Sequence, residues 1–289
     1  MPERMNRNQM ADDLSALRHP LERMLFRFYV LLNIMILSAA LYLAWQGTEW
    51  LSGHPLWNQY HLQIRALAMA IVLAPPAVTF RRNTRHARML GNSIVVSPNQ
   101  AAALYQMLLH QCERIGMNPP PDLMFSDCAI HEPSHAYQSW NRSYIVLGTT
   151  FMQPSLNSLL PVFAFLLGRE LGRLRLGHES WLSDLLLSYT KSAPLLINPL
   201  MRVFTYSEDR WGAFLAPAGV TGIIAMAAGR RMLPDVNVDD YLRKVRKDRG
   251  LWAFINDWTS EKPTLAHRIL ALADASLISL QAPQRSSRS

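Results

Sequence analysis

The stretch PVFAFLLGRELGRLRLGH, Pro161 to His178, decides how the rest of the chain is understood. It is apolar enough to be buried, yet Arg169, Glu170, Arg173 and Arg175 are set into it. Pro161 predicts the first helical position, because a proline there gives up an N–H that has no intrahelical partner in any case. Within the stretch, GRELGR from Gly168 to Arg173 places two arginines four residues apart, on one helical face. Two cations on a buried face repel each other unless carboxylates answer them. Glu170, three residues from Arg173, is the first candidate, and the expectation is an arginine–carboxylate network. The alternative is a pocket whose arginine forks take up a carboxylate or phosphate group.

Upstream, AIHEPSHAY, Ala129 to Tyr137, contains His131, Glu132 and His135 in the spacing H-E-x-x-H. That spacing grips zinc only on a helix, where a four-residue step stacks two imidazoles over one metal. Pro133 removes a helical N–H at that place, so HEPSH reads as a loop or turn and the match as a decoy. A metal held by His131 and His135, with His178 also available, is the alternative. PDLMFSD and SYIVLGTTFM, which flank this loop, read as strands. Before them, SPNQAAALYQMLLHQCERIGM predicts a helix with Ser97 as N-cap, Pro98 at the first position and Gly116 closing it. VNVDDYLRKVRKDRG reads as a charged, solvated segment, and the tail QAPQRSSRS as disordered. No internal repeat and no Gly-rich phosphate loop is present.

The chain has 289 residues, 49% hydrophobic and only 17% charged, with a formal net charge of +8. High apolar and low charged content at a mean hydropathy of +0.01 suggests one part in lipid and another in water. Arg4, Arg7, Arg18, Arg23 and Arg27 precede the apolar run Phe28 to Gln46, 19 residues that would span roughly 28 Å as a helix. A second run, Leu62 to Phe80, contains Arg65, which must snorkel, and Pro75-Pro76, which predict a kink or an end. Arg81, Arg82, Arg85 and Arg88 follow at once. The connector, residues 47 to 61, has no lysine or arginine and is rich in Trp and Tyr, like an interfacial belt. This distribution predicts both termini in the cytoplasm, the short loop outside, and no role for nucleic acid. A cleaved signal peptide fits less well, since the first run exceeds an ordinary h-region and no small-residue cleavage site follows it. Cys112 and Cys128 are read as free thiols in a reducing compartment.

Replacing Arg169 and Arg173 by histidine would turn GRELGR into HELGH. At this point the chain resembles the HtpX-like and CAAX-prenyl-protease-like membrane zinc metalloendopeptidases, of gluzincin type. The resemblance covers roughly residues 100 to 275. It rests on an ordered series: ERIGM with a proline run, a strand followed by PSHAY, SYIVLGTTFM, LLPVFAFLLGRELGRLRLGH, the D-R-x-G-A element in FTYSEDRWGA, and SEKPTLAHRI. The resemblance implies zinc ligands at Arg169, Arg173 and Thr205, and a general base at Glu170. It places Asp209 at a supporting aspartate and Glu208 at an alanine, and matches Arg268 to a basic residue near the C-terminal motif. All three ligand positions are altered. A guanidinium does not deprotonate and repels a divalent cation, and a neutral threonine hydroxyl is a poor ligand. Without a metal-bound water, Glu170 is a vestigial base. A one-turn slip would let Glu208 take one ligand role, rescuing one of three.

The expected fold is α+β. A cytoplasmic N-terminal segment (1–27) leads into a two-helix transmembrane hairpin (28–80). A mainly helical metallopeptidase-like domain with a small β-sheet (92–275) and the tail (276–289) follow. The resemblance implies a catalytically inactive homologue at the bacterial inner membrane, with no cofactor, acting through protein binding or membrane-protein quality control. Its partners would be the lipid bilayer and a protein. The alternatives are an active zinc metalloendopeptidase cleaving membrane or misfolded proteins, and a structural subunit of a membrane complex.

Overall fold

The computed structural model describes residues 14–45, 60–126, 134–148, 156–220 and 259–275, with single positions 223, 237, 240 and 243. The N-terminal segment before Leu14, the stretch between the first two helices, Cys128, most of the charged VNVDDYLRKVRKDRG segment and the C-terminal tail lie outside these residues. Two long helices lead, α1 (Glu22–Trp45) and α2 (His61–Gly91), packed against each other. Both are long and apolar enough to cross a membrane, and only 17% and 11% of their most apolar windows is buried within the fold. A core helix of a water-soluble domain would be mostly covered, whereas Leu31, Met35, Leu41, Leu67 and Leu73 are exposed here. They are candidate membrane spans. Ala40, Ala44 and Ala68 are buried along the hairpin, and small residues of this kind let helices approach closely.

Of the kink or end expected at Pro75-Pro76, the end does not occur: α2 runs on to Gly91. A proline removes only its own N–H, so two adjacent ones free two carbonyls a turn earlier and leave later rungs intact. The Thr79 hydroxyl also donates to the Pro75 carbonyl at 2.9 Å. Arg65 finds a partner at the end of α1, where its Nε donates to the Ala44 carbonyl at 3.0 Å. That carbonyl is one of the last-turn acceptors a helix leaves unpaired.

Beyond α2 the chain folds into a mixed domain. A four-stranded sheet comprises β1 (Ile94–Val95), β2 (Asp122–Ser126), β3 (Ser134–Gln138) and β4 (Ser143–Gly148), in the order β1-β2-β4-β3. β2 and β4 run parallel, and β1–β2 and β3–β4 are antiparallel. The helix α3 (Ala102–Ile115) starts later than predicted. Ser97 and Gln100 instead exchange backbone hydrogen bonds of 2.9 and 3.0 Å across Pro98-Asn99, so turn chemistry outcompetes the N-cap there. Gly116 closes α3 as expected, in the left-handed region at φ 64°. The last two residues of HEPSH are also a correction: Ser134 and His135 begin the edge strand β3, paired with Leu147 and Val146 of β4.

The decisive stretch forms α4 (Leu156–Leu176), which starts before Pro161 and carries that proline inside it. Two short helices, α5 (Trp181–Leu186) and α6 (Ser188–Lys191), lead to the long α7 (Pro194–Leu215), and α8 is Leu265–Asp274. α4 and α7 form the centre of the domain. Glycine makes their contact possible: a Cβ on Gly172 would lie 2.5 Å from Trp211 Cβ, and one on Gly212 2.7 Å from Arg169 Cγ. The backbones therefore approach until the charged residues of the two helices meet. Around them, Leu104, Leu108, Ile145, Phe165, Leu171 and Trp211 belong to one buried apolar cluster.

Candidate functional site

Arg169 and Arg173 face α7 from α4, as their spacing predicts, and both are buried. The carboxylate that answers them is Glu208. Arg173 Nε and Nη2 donate to the two Glu208 oxygens at 2.9 and 2.8 Å, a bidentate fork, and Arg169 Nη2 reaches the second oxygen at 3.4 Å. Asp209 takes the other cations. Arg268, delivered by α8, donates to both its oxygens at 2.7 Å, and Arg169 Nε forms an ion pair with Oδ1 at 2.7 Å. Glu170 is fully buried, pairs with Arg173 at 3.2 Å and accepts the Ser134 hydroxyl at 2.7 Å. Three guanidinium groups thus meet three carboxylates in a closed interior. Each of these arginines is committed, which disfavours the reading of an open pocket for an outside anion.

The network extends toward the α1–α2 hairpin. Gly177, at φ 73°, turns the chain after α4 so that His178 folds back under it. Its Nδ1 lies 3.1 Å from Glu208 and its Nε2 3.1 Å from Glu22 of α1, with the ring stacked on Phe204 at 3.7 Å. Glu22 in turn pairs with Arg18 at 3.1 Å and accepts the Ser207 hydroxyl. A continuous polar chain therefore ties α1 to α4, α7 and α8.

The environment separates the carboxylates. Burial alone would push the Glu208 carboxyl up, but the charge of Arg173 and hydrogen bonds from His178 and Arg173 hold it well below the usual range. For Glu170 burial prevails and pushes the carboxyl up, against the pull of Arg173 and Arg169. Burial works against the charge on Arg268, yet Asp209 more than offsets it and raises its affinity for the proton. Glu208 is the anion the fold stabilises. Glu170 is the anion it tolerates.

The ligand positions implied by the resemblance do not fit zinc. Two are guanidinium groups already engaged as donors, and the Thr205 hydroxyl donates to its own helix at the Met201 carbonyl, 3.0 Å away. Of the histidine alternative, His135 is among the described residues. Successive strand residues point to opposite faces. Ser134 faces Glu170, whereas the His135 ring stacks on His86 of α2, with centroids 5.4 Å apart. His131 lies outside the described residues. Scans of the chain against protein-family models, curated proteins and solved structures return no match.

The sequence reading reached Arg169, Arg173, Asp209 and Glu170, and it attached Arg268 and His178 to the same region. It missed Glu208 as the hub, because the alignment on D-R-x-G-A put that residue at an alanine. Adjacent acidic residues, Glu208-Asp209, opposite two arginines were the available signal. It also missed Glu22, one of four acidic residues that stand among the five N-terminal arginines.

Proposed function

We propose that this protein is a membrane-anchored, metallopeptidase-like scaffold in which an arginine–carboxylate network takes the place of a metal centre, and that it acts by binding protein. The observation that carries this reading is the bidentate Arg173–Glu208 pair, reinforced by Arg169, between the helix that resembles HELGH and the helix bearing D-R-x-G-A. A zinc ion in a gluzincin cross-links those same two helices through side chains. Here opposite charges make the cross-link, and Glu170 has no activated water to act upon. A domain kept intact without its chemistry retains its surfaces, which suits recognition of a protein partner or of unfolded membrane-protein segments. The resemblance extends this to membrane-protein quality control at the bacterial inner membrane. Purified chain is expected to contain far less than one zinc and to leave casein and membrane-protein substrates uncut. Elemental analysis finding about one zinc per chain, lost on changing His131 and His135, would favour the active-peptidase alternative. Co-purification of a stoichiometric membrane complex that falls apart without this chain would favour the structural-subunit alternative.

The proposal places α1 and α2 across the membrane, with the domain and both termini on the cytoplasmic side. Five arginines before the first apolar run and four after the second, with none in the loop, support it. A cysteine introduced at His54 in a background lacking Cys112 and Cys128 is expected to react with an impermeant maleimide added from outside. One at Asp239 is expected to react only after the membrane is opened. The reverse pattern would refute the orientation.

A further inference from the structure

A cavity of about 430 Å³ opens beside the network, between the start of α1 and the α4–α5 connection. Its lining combines Arg18, Arg23 and Arg27, with Glu22 beside them, and the apolar side chains of Phe26, Leu182, Leu186 and Phe204. Arg18 is committed to Glu22, but among the described residues no carboxylate pairs with Arg23 or Arg27, and both are exposed. They stand four residues apart on one helix, where like charges repel. An anion between them would remove that penalty.

Their position names the anion. Arg27 immediately precedes Phe28, the first residue of the apolar run. The rise from Arg23 to Arg27 is about 6 Å, close to the thickness of one headgroup layer, since a bilayer is about 40–45 Å overall around about 30 Å of hydrocarbon. The α5–α7 corner lies alongside that run as well. Asn33 of α1 donates to Thr190 at 2.8 Å, and the Tyr29 hydroxyl donates to the Leu196 carbonyl at 2.6 Å. Leu182 at 47% and Leu196 at 44% exposure face outward on this corner.

We propose that this cavity binds one anionic phospholipid, its headgroup phosphate held by the Arg23 and Arg27 forks and an acyl chain lying along Phe26, Leu182 and Leu186. Guanidinium forks match phosphate oxygens, and basic residues beside a span attract anionic lipid. The proposal rests on α1 crossing the bilayer. Native mass spectrometry of the full chain, released from detergent with equal amounts of phosphatidylglycerol and phosphatidylcholine, tests it. Phosphatidylglycerol adducts are expected in about tenfold excess or more. R23Q/R27Q is expected to lose the preference at unchanged thermal stability, and R23K/R27K to keep most of it. Equal adducts for both lipids, or an unchanged preference in R23Q/R27Q, would overturn the lipid site. Displacement of phosphatidylglycerol by millimolar inorganic phosphate would make the ligand free phosphate and overturn it too. Carbonate extraction separates the failures: a chain released from membranes overturns the anchor and this site together, whereas a retained chain without lipid preference overturns this site alone.

Discussion

Glu208→Gln is expected to lower stability by about 3–5 kcal/mol, the cost of leaving buried charge without its partner. The substitution keeps shape and removes one of three carboxylates, so three guanidinium groups share two anions. Arg173 loses its fork, Arg169 its second contact, and His178 Nδ1 its charged neighbour. The loss is pH-dependent, and its sign follows from the carboxyl being held well below the usual range. Such a group stabilises the fold at every pH above the unfolded glutamate value, about 4.3, and loses that contribution as pH falls from there through the folded value. The gap in melting temperature between parent and variant should therefore be wide at neutral pH and narrow in acid. Glu170→Gln should cost less than Glu208→Gln, because burial already opposes the charge on Glu170. Its raised carboxyl runs the other way, with stability falling as pH rises above the ordinary value. Parallel melting curves for Glu208→Gln and parent at neutral pH would show that the hub carries no weight.

Asp209→Asn should be comparably damaging, through a different cation. Arg268 is almost fully buried, and both its forked bonds go to Asp209 at 2.7 Å. Without that carboxylate the guanidinium is stranded between α7 and α8, and Arg169 loses its ion pair at Nε. A cost of about 3–5 kcal/mol is again expected. Arg268→Gln added to Asp209→Asn should recover part of it, because the two residues are in direct contact and their effects are not additive. Chemical denaturation in detergent, followed by far-ultraviolet circular dichroism, measures both quantities. Equal stability of Asp209→Asn and parent would mean that α8 is held by its apolar face alone.

The apolar periodicity of the sequence was sufficient for the two long helices, for α4 and for the strands β2 and β4, because burial and span length depend on local composition. Register between helices was not legible. Whether Glu208 or Thr205 meets Arg169 depends on how closely α4 and α7 approach, and that is set by Gly172 against Trp211 and Gly212 against Arg169. Nor could local signals tell that Ser134 faces Glu170 while His135 faces His86, since strand pairing fixes the faces. Pro75, Pro76 and Pro161 misled for one reason. A proline is a helix-ending signal only when nothing downstream rewards continuing, and here the turns beyond each proline have packing partners to reach.

The central claim is that opposite charges between α4 and α7 do the holding that a metal would do. A double-mutant cycle on Arg173→Gln and Glu208→Gln, read as unfolding free energy at neutral pH, tests it most directly. The account predicts a favourable coupling of about 2 kcal/mol or more, so that the double variant is far less damaged than the two single losses added together. Single losses that simply add, with coupling near zero, would contradict it.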